Sequence, residues 1–342
     1  MSLGASENPH FVLVTGSTGF LGSKTVETLI NKGYHVRALA RKTSKTEYLK
    51  KLNVEICYGD VADYESLERA FENMNCVVHA AADTKNDSMQ SLKTTMRGAQ
   101  NVISLSKKYG INKLVYISSC SVYGVSDLRK DQIVDENAPL ERYPEKRGFY
   151  SEAKLKAEQL VLETSRTENV PVVCLRPGTI YGPGGKVYTP IMGFSMGNRF
   201  FVNIGNGTSV LPLVYIDNVV EAIMLALAND KSTGQIYNVV DPERITKKEY
   251  TELLLKRLYP NATFCYFPYS LLYVFVFLQE TLTRLLGRKP FLTRYRLISS
   301  QRNIIYDSTK IKKELNWNPP ISLQEALDQI LTYESRKTHL TP

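Results

Sequence analysis

The sequence predicts an α/β fold in which helices cover both faces of a parallel sheet, a doubly wound arrangement. Short apolar runs alternate with helix-length amphipathic segments through the first half of the chain, which is the pattern of strands buried on both faces. After residue 176 the pattern changes, because Pro and Gly cluster in residues 177–185. We therefore expect the sheet to be followed by a smaller, discontinuous and mostly helical C-terminal domain.

Apolar runs of strand length, each followed by a helix-length segment, define the elements of the sheet. The first six predicted strands are residues 10–15, 35–40, 54–58, 76–82, 113–118 and 170–175. Residues 19–31 form an amphipathic helix between the first two strands. A helix at residues 217–229 and a strand at residues 235–239 predict that the chain returns to the sheet.

The amino-acid composition limits which kinds of binding site and cross-link the protein can contain. Five cysteines are scattered without a Cys-x-x-Cys pair, and four histidines lack ligand spacing, so we expect neither disulfides nor a metal centre. The net charge of +9 reflects either attraction to anionic partners or an ordinary solvated surface, and no nucleic-acid motif accompanies it. No signal peptide is visible, and we expect a cytoplasmic protein.

A glycine-rich turn follows the first strand and opens the first helix. Residues 15–22 read Thr-Gly-Ser-Thr-Gly-Phe-Leu-Gly. Glycines allow a tight turn and close approach of the backbone to a pyrophosphate, and the helix N-terminus offers N–H groups to that anion. The predicted dinucleotide contacts in this turn are Gly16, Thr18, Gly19, Phe20, Leu21 and Gly22.

The spacing Gly-x-x-Gly-x-x-Gly resembles the extended short-chain dehydrogenases/reductases, the superfamily of NAD-dependent epimerases and dehydratases. The resemblance covers about the first 240 residues well and the remainder loosely. It implies a Rossmann fold and an NAD(P)-dependent enzyme. By matching the family's motifs, it also implies cofactor contacts at Asp60, Val61, Ala80, Ala81, Ala82, Pro177, Gly178 and Thr179.

The end of the second strand indicates which dinucleotide is bound. NAD enzymes usually place a carboxylate there for the ribose hydroxyls. Here Ala40 holds that position, Arg41 and Lys42 follow it, and Arg37 lies on the strand. Guanidinium and ammonium groups attract a 2′-phosphate, so NADP(H) is favoured and NAD(H) is the alternative. The competing interpretation is that these are only surface charges.

Tyr150 and Lys154 form a Tyr-x-x-x-Lys pair, which a helix places on one face. A nearby ammonium, with the positive charge of the nicotinamide, stabilises a phenolate and lowers the tyrosine pKa from its usual value of about 10. The same spacing occurs at three other places in the chain. Position singles out Tyr150, which follows the fifth strand and precedes a long amphipathic helix. We expect both residues to contact the cofactor as well.

The fifth strand runs into Ser-Ser-Cys-Ser-Val-Tyr-Gly at residues 118–124, which resembles the family's serine motif. The resemblance makes Ser119 the catalytic hydroxyl, and Ser121 a helper at the substrate. A hydroxyl at this point can polarise a carbonyl. One departure is Thr95, which stands where the family often places an asparagine for proton relay.

Two substrate classes remain open. The favoured reaction transfers hydride to or from the secondary alcohol or ketone of an apolar, hydroxysteroid- or flavonoid-like molecule, as in the 3β-hydroxysteroid dehydrogenase-like branch. Leu211 stands near the position where the family's sugar-nucleotide enzymes carry an arginine for the diphosphate, and Thr179 stands where they often carry asparagine. The alternative is a nucleotide-sugar epimerase or dehydratase. With Ser121 and Thr179, Tyr181 completes the predicted substrate contacts.

A regulatory protein that has lost activity is disfavoured, because Ser119, Tyr150 and Lys154 are all present. The predicted dinucleotide-binding domain is residues 10–176, to which residues 213–240 return. Residues 177–212 and 241–342 then form the predicted substrate-binding domain.

Residues 264–278 are strongly apolar, and no acidic residue occurs from 281 to 306. This second segment carries Arg284, Arg288, Lys289, Arg294, Arg296 and Arg302. Fifteen residues are too few to span a bilayer, but an apolar anchor with a basic flank is typical of a segment lying at a membrane surface. A helix capping an apolar pocket and a helix buried in a dimer are the alternatives. We expect a small-molecule substrate, peripheral membrane contact through residues 264–302, and a homodimer.

Overall fold

The computed structural model describes residues 11–83, 87–124, 128, 132–288 and 290–339. Seven strands form its main sheet: β1 Phe11–Thr15, β2 His35–Ala40, β3 Glu55–Tyr58, β4 Cys76–His79, β5 Lys113–Ile117, β7 Val172–Pro177 and β13 Ile236–Val239. All pairings between them are parallel, which confirms the predicted sheet. His10 and Lys289 lie outside the described residues.

Short strands make up four smaller sheets. They are β6 Ile133–Val134, β8 Thr179–Tyr181, β9 Gly193–Met196, β10 Phe200–Ile204, β11 Val210–Leu211, β12 Leu213–Tyr215, β14 Ile245–Thr246, β15 Thr263–Phe267 and β16 Ile305–Tyr306. Most of them lie after the sixth strand of the main sheet, where the sequence pattern changes.

Helices flank the main sheet and form most of the C-terminal part, as predicted. They are α1 Phe20–Asn31, α2 Glu47–Lys51, α3 Tyr64–Phe71, α4 Met89–Lys108, α5 Pro144–Arg147, α6 Phe149–Glu168, α7 Ile216–Ala228, α8 Lys247–Tyr250, α9 Lys256–Leu258, α10 Tyr269–Leu285, α11 Arg294–Gln301, α12 Thr309–Leu315 and α13 Leu323–His339. A π-helical turn, Thr251–Leu255, joins α8 to α9.

The two faces of the sheet carry separate apolar cores. Val12 and Val14 of β1 pack in one core with α1 and α7, whereas Leu13 packs in the other with α3, α4 and α6. Alternate residues of a strand point to opposite faces, so an uninterrupted apolar run feeds both cores. This arrangement is why the strands could be recognised from continuous rather than alternating hydrophobicity.

The order of strands across the sheet is β13-β7-β5-β4-β1-β2-β3. The chain moves outward from β1 through β2 to β3, and then crosses back to place β4 on the other side of β1. In doubly wound sheets the crevice for ligands forms where the order reverses, beyond the carboxyl ends of the strands. Here that point lies between β1 and β4, next to the ends of β5 and β7.

The apolar stretch at residues 264–278 is divided at Pro268. Residues before it pair with β10 as strand β15, and α10 begins directly after it. Among the described residues, no helix combines the length and hydropathy needed to cross a bilayer.

Candidate active site

The glycine turn packs tightly at the reversal point of the sheet. Gly16 has φ +71°, and a Cβ on it would lie 2.7 Å from the Ala81 nitrogen. A Cβ on Gly22 would lie 2.1 Å from the Gly16 oxygen. Only glycine fits at these two positions, because the end of β1 contacts the segment after β4 and the first turn of α1 contacts the end of β1. The turn thus lies beside Ala80, Ala81 and Ala82.

The N-terminus of α1 is suited to bind an anion. The helix begins at Phe20 after Gly19, with no side-chain cap and no acidic residue in its first turn. The first N–H groups of a helix have no partner within it and carry the positive end of its dipole. Thr18 and Gly19 are exposed, and Leu21 is buried beneath them. The predicted turn residues therefore fit a pyrophosphate.

Basic side chains follow the end of β2. Arg41 and Lys42 are exposed, and the salt bridges among the described residues do not include them. Arg37 instead pairs with Glu55 at 2.6 Å and donates to the carbonyl of Glu72. The Arg37 guanidinium is therefore engaged by groups at the edge of the sheet. We no longer expect Arg37 to attract a 2′-phosphate, and Arg41 and Lys42 keep that role.

The loop after β3 is held in place by hydrogen bonds. The carboxylate of Asp60 accepts from the backbone N–H of Ala62 at 2.9 Å, and Asn101 donates to the carbonyl of Val61 at 2.9 Å. The loop borders the same edge of the sheet as the glycine turn.

Ser119 and Tyr150 come together beyond the end of β5. The Ser119 Oγ accepts from the Ser121 backbone N–H at 3.1 Å, which leaves its hydroxyl hydrogen available to a second partner. Burial raises the pKa of Tyr150, and a hydrogen bond with Ser119 acts in the opposite direction. Tyr150 as a whole residue is 37% exposed. Two hydroxyls therefore share one small site.

Lys154 lies one helical turn after Tyr150 and is 3% exposed. Its Nζ donates to the Ile117 carbonyl at 2.7 Å, and burial lowers its pKa to about 8. The expected lowering of the Tyr150 pKa by Lys154 is not produced by the protein's own groups, because burial dominates and the ammonium is held against Ile117. The predicted effect of Lys154, which includes the charge of the nicotinamide, stays a prediction.

A buried ion pair beneath this site was missed by the sequence analysis. Glu158 is 0% exposed and Arg176 is 2% exposed, and their nearest charged atoms are 2.5 Å apart. Ser118 also donates to Glu158, and Arg176 donates to the Tyr123 hydroxyl at 2.8 Å. Glu158 follows Lys154 by four residues, the same spacing that separates Lys154 from Tyr150, and this was the available signal.

A second missed residue is Asp87. Its Oδ1 accepts from the Tyr150 backbone N–H at 3.0 Å, and its Oδ2 accepts from Arg296 at 2.7 Å. It therefore fixes the first turn of α6 and joins that turn to α11. No local pattern marks such a residue, since its partners are distant in the sequence.

The predicted substrate residues have different environments. The Ser121 hydroxyl is buried without a hydrogen-bond partner among the described residues. Thr179 donates its backbone N–H to the Pro212 carbonyl at 2.7 Å, and Gly178 donates to Val239 at 3.0 Å. Tyr181 is 2% exposed and packs edge-on against Tyr215. Because alternate residues of a strand face opposite sides, the Tyr181 side chain on β8 faces the core. We therefore no longer assign Tyr181 to the substrate.

Two further groups near the site are structural. His79 pairs with the Thr15 hydroxyl at 2.8 Å, and burial lowers its pKa to about 3, so it is neutral. Thr95 is buried and accepts from the Asp83 backbone N–H at 3.4 Å. Within the described ranges no cluster of three His, Cys, Asp or Glu residues is placed to hold a metal.

Comparison with known proteins identifies the family of this chain and several relatives. A model described as the NAD dependent epimerase/dehydratase family matches residues 12–239. 3beta-hydroxysteroid-dehydrogenase/decarboxylase isoform 1 of Arabidopsis thaliana is 28% identical over 97% of this chain and 81% of its own. N-acetyl-alpha-D-glucosaminyl-diphospho-ditrans,octacis-undecaprenol 4-epimerase of Escherichia coli O157:H7 is 27% identical. The match covers 94% of this chain and 95% of the relative. The crystal structure of gox2253 matches with a TM-score of 0.80 at 27% sequence identity. This match covers 96% of this chain and 99% of the gox2253 chain.

Replacing Arg176 by Met leaves the Glu158 carboxylate buried without its counter-charge. We expect the free energy of unfolding, measured by urea denaturation, to fall by about 3–5 kcal/mol. The double variant Glu158→Leu/Arg176→Met removes both charges and recovers most of that loss. Arg166→Met, on the exposed end of α6, is the matched control and changes stability by less than about 0.5 kcal/mol. A similarly small loss for Arg176→Met would contradict this role.

Proposed function

Because the chain belongs to the NAD-dependent epimerase/dehydratase family, we propose that it transfers hydride between a nicotinamide cofactor and the secondary alcohol or ketone of an apolar substrate. The observation that carries this proposal is the meeting of Ser119 and Tyr150 beside the buried Lys154. These groups follow β5, two strands from the glycine turn at the end of β1. Cofactor and substrate sites thus share one edge of the sheet.

The hydrogen bonds of the site determine which hydroxyl is free to donate. The Ser121 N–H donates to the Ser119 oxygen, so the Ser119 hydroxyl can donate to the oxygen of Tyr150 or of a substrate. Donation to Tyr150 stabilises its phenolate, which is how Ser119 opposes the effect of burial on the Tyr150 pKa. Donation to the substrate polarises its carbonyl. Tyr150 gives or takes the proton at the substrate oxygen.

Lys154 and the glycine turn hold the cofactor in this proposal. The nicotinamide ring, when bound, supplies hydride exchange at the carbon that carries the reacting oxygen. Gly16 and Gly19 would bring the backbone close to the pyrophosphate, and Lys154 would donate to the ribose. Gly22 lets the first turn of α1 pack on the end of β1. A lysine with a pKa near 8 remains mostly charged at neutral pH, so it can favour the Tyr150 phenolate when it turns from the Ile117 carbonyl.

An apolar substrate is supported by the residue at position 211. Leu211 is 3% exposed in β11, which pairs with β14, so a diphosphate has no basic partner at this position. The Arabidopsis relative is named for action on a hydroxysteroid, and this name supports the same class of substrate.

The alternative function is epimerisation of a sugar. It is favoured by the E. coli relative, a 4-epimerase that matches nearly end to end. Both reactions use the same tyrosine and serine, so the residues of the site do not separate them. Net consumption of the cofactor separates them, because an epimerase returns the hydride to its substrate.

Replacing Tyr150 by Phe removes the hydroxyl and keeps the ring. We expect kcat to fall about 10²–10⁴-fold, while the Kd for the cofactor, measured by fluorescence titration, stays the same. Tyr333→Phe, on a tyrosine of similar exposure, is the control. Turnover is measured on a panel of candidate substrates that contains sterols, flavonoid-like ketones and nucleotide sugars. Each is assayed for net change in NAD(P)H and for product isomers. Retained turnover in Tyr150→Phe would overturn the mechanism, and isomers without net cofactor change would establish the alternative.

We propose NADP(H) as the preferred cofactor, since Arg41 and Lys42 follow a strand that ends without a carboxylate. The double variant Arg41→Ala/Lys42→Ala should raise the Kd for NADPH at least about tenfold, since each charge-assisted hydrogen bond contributes about 1.5–3 kcal/mol. The Kd for NADH should change little. Lys50→Ala/Lys51→Ala on α2 removes two exposed charges nearby and serves as control. Equal losses for the two cofactors would refute the preference.

We also propose that α10 lies on an anionic membrane. One face of this helix exposes apolar side chains at helical spacing, and the nearby Phe291 is 92% exposed. The exposed set on the helix and just beyond it is Leu271, Val274, Phe275, Phe277, Leu278, Leu282, Leu285 and Leu286. An apolar surface this continuous marks an interaction site.

Charge decides which partner fits that face. Arg284 and Arg288 are exposed beside it, whereas the nearby acid, Glu280, is 5% exposed and paired with Arg284 and Arg294. The face therefore presents apolar groups with positive charge, which matches lipid chains beneath anionic headgroups. If a second copy of this chain packed its α10 against the same face, the arginines of the two copies would repel each other.

Phe275→Glu should abolish flotation of the protein with vesicles containing phosphatidylglycerol. Met196→Glu makes the same change at a side chain of equal exposure, 64%, on strand β9, and flotation should persist. Vesicles of phosphatidylcholine alone should bind less, because each basic residue near an anionic surface contributes about 1 kcal/mol. A dimer in light scattering that Phe275→Glu dissociates, without any flotation of the wild type, would overturn the membrane assignment.

A further inference from the structure

Tyr150 lies in the first turn of α6, where a helix has the fewest hydrogen bonds of its own. The helix begins at Phe149, and Gly148 before it has no side chain that could act as a cap. The first N–H groups of a helix have no acceptor within it. Contacts from outside the helix must therefore satisfy and hold this turn.

The later turns of α6 are anchored in the core. Lys154 donates to the Ile117 carbonyl at 2.7 Å, and Glu158, one turn further along, pairs with the buried Arg176. Both anchors lie at least one turn beyond Tyr150. The place of its hydroxyl therefore depends on what holds the start of the helix.

Asp87 supplies the cap that Gly148 lacks. Its Oδ1 accepts from the Tyr150 N–H at 3.0 Å, and a carboxylate is stabilised by the positive end of the helix dipole. Gly148 has φ +113°, and a Cβ on it would lie 2.9 Å from the Asp87 Oδ2 and 2.9 Å from the Arg296 Nη2. The carboxylate and its arginine therefore pack directly against the residue before the catalytic helix.

Helix α11 reaches the chain on both sides of Gly148. On one side, Arg296 donates to the carboxylate that caps α6, at 2.7 Å. On the other side, the adjacent Tyr295 donates to Glu141 at 2.5 Å. Glu141 is 5% exposed and accepts from Arg147, the residue before Gly148, at 3.3 Å. Two neighbouring residues of one helix thus fix where α6 begins.

The start of α11 is itself fixed. The Thr293 Oγ1 accepts from the Arg296 N–H at 3.2 Å, so α11 has a side-chain cap. Glu280 of α10 accepts from the Arg294 N–H at 3.2 Å. Arg296 therefore extends from a well-anchored turn, which lowers the entropy lost when its side chain is held in one place.

We propose that Asp87 is a positioning residue of the reaction and that Arg296 orients it, so that helix α11 sets the place of the Tyr150 hydroxyl. Both residues act through the backbone of Tyr150, and neither contacts the reacting atoms. A misplacement of about 1 Å at a reacting group can cost about 10²-fold in rate. The proposal rests on the proposed function for the reaction, whereas the hydrogen bonds that carry it do not.

Asp87→Ala removes the acceptor of the Tyr150 N–H. On a substrate found with the panel above, kcat should fall at least about tenfold, while the KM for that substrate and the Kd for the cofactor stay the same. Glu252→Ala breaks another exposed ion pair, with Lys256 at 2.8 Å, and should leave kcat unchanged. A raised KM with unchanged kcat would show that Asp87 contacts the substrate and would overturn the positioning role.

Arg296→Ala should lower kcat by less than about fivefold, the loss expected for one exposed ion pair. Added to Asp87→Ala, it should have no further effect, because Arg296 acts through Asp87. Wild-type kcat in Arg296→Ala, or losses that add in the double variant, would overturn the role of Arg296. Urea midpoints close to that of the wild type show that the variants fold.

Amide hydrogen exchange, measured by NMR, tests the same contact without any turnover. In Asp87→Ala the amide of Tyr150 should exchange at least about tenfold faster, the loss expected for one hydrogen bond to a charged group. Amides of residues 155–165 should keep their wild-type protection, because the anchors at Lys154 and Glu158 are intact. Unchanged exchange at Tyr150 would overturn the proposal.

The two measurements separate this proposal from the proposed function. If Asp87→Ala speeds exchange at Tyr150 but Tyr150→Phe keeps its turnover, the proposed chemistry fails and the contact that holds the helix stands. If Tyr150→Phe loses turnover while Asp87→Ala keeps both its kcat and its slow exchange, the chemistry stands and the positioning role fails.

Discussion

The buried ion pair of Glu158 and Arg176 is the interaction on which the position of the reaction site depends. Enclosing two charges costs several kcal/mol for each ion, and the cost is offset only when the geometry is good and the remaining hydrogen-bonding groups are satisfied. Here Ser118 and Tyr123 complete the set. Ser118 directly follows β5, Arg176 lies on β7 and Glu158 lies on α6. A single charged cluster therefore fixes the catalytic helix against two strands.

The cluster extends beyond the sheet. Tyr123 donates to the Asn238 side chain at 2.7 Å, and Asn238 in turn donates to carbonyls of Val134 and Asp307. Each of these groups is buried or partly buried, so each hydrogen bond is strong and its loss would be costly. The chain after β13 is therefore tied to the same polar core that holds Ser119, Tyr150 and Lys154 in register.

The strands and the glycine turn could be predicted from sequence because their causes are local. Continuous apolar runs show strands buried on both faces, and the spacing of the glycines reflects contacts within the turn itself, where a Cβ on Gly19 or Gly22 would meet the Gly16 oxygen. Glu158 was within reach of the same reasoning, since its spacing repeats that of Tyr150 and Lys154. Asp87 was not, because its role exists only after residues 209 positions apart meet.

Other differences have tertiary causes as well. Residues 264–267 form a strand because β10 offers its edge, with Phe201 opposite Phe264, whereas hydropathy alone shows one continuous apolar stretch. Tyr181 is in the core because pairing of β8 with β12 fixes which way it faces. The Tyr150 pKa reflects burial by the folded chain, which residue spacing does not report.

The contact between Asp87 and Arg296 differs in character from the core beneath it. The two side chains are 36% and 40% exposed, and such pairs contribute at most about 1 kcal/mol. Exposed charges are screened by salt, with a Debye length of about 8 Å at physiological ionic strength. The alignment of the first turn of α6 therefore inherits a sensitivity to the ionic composition of the surroundings that Glu158 and Arg176, sealed from water, do not share.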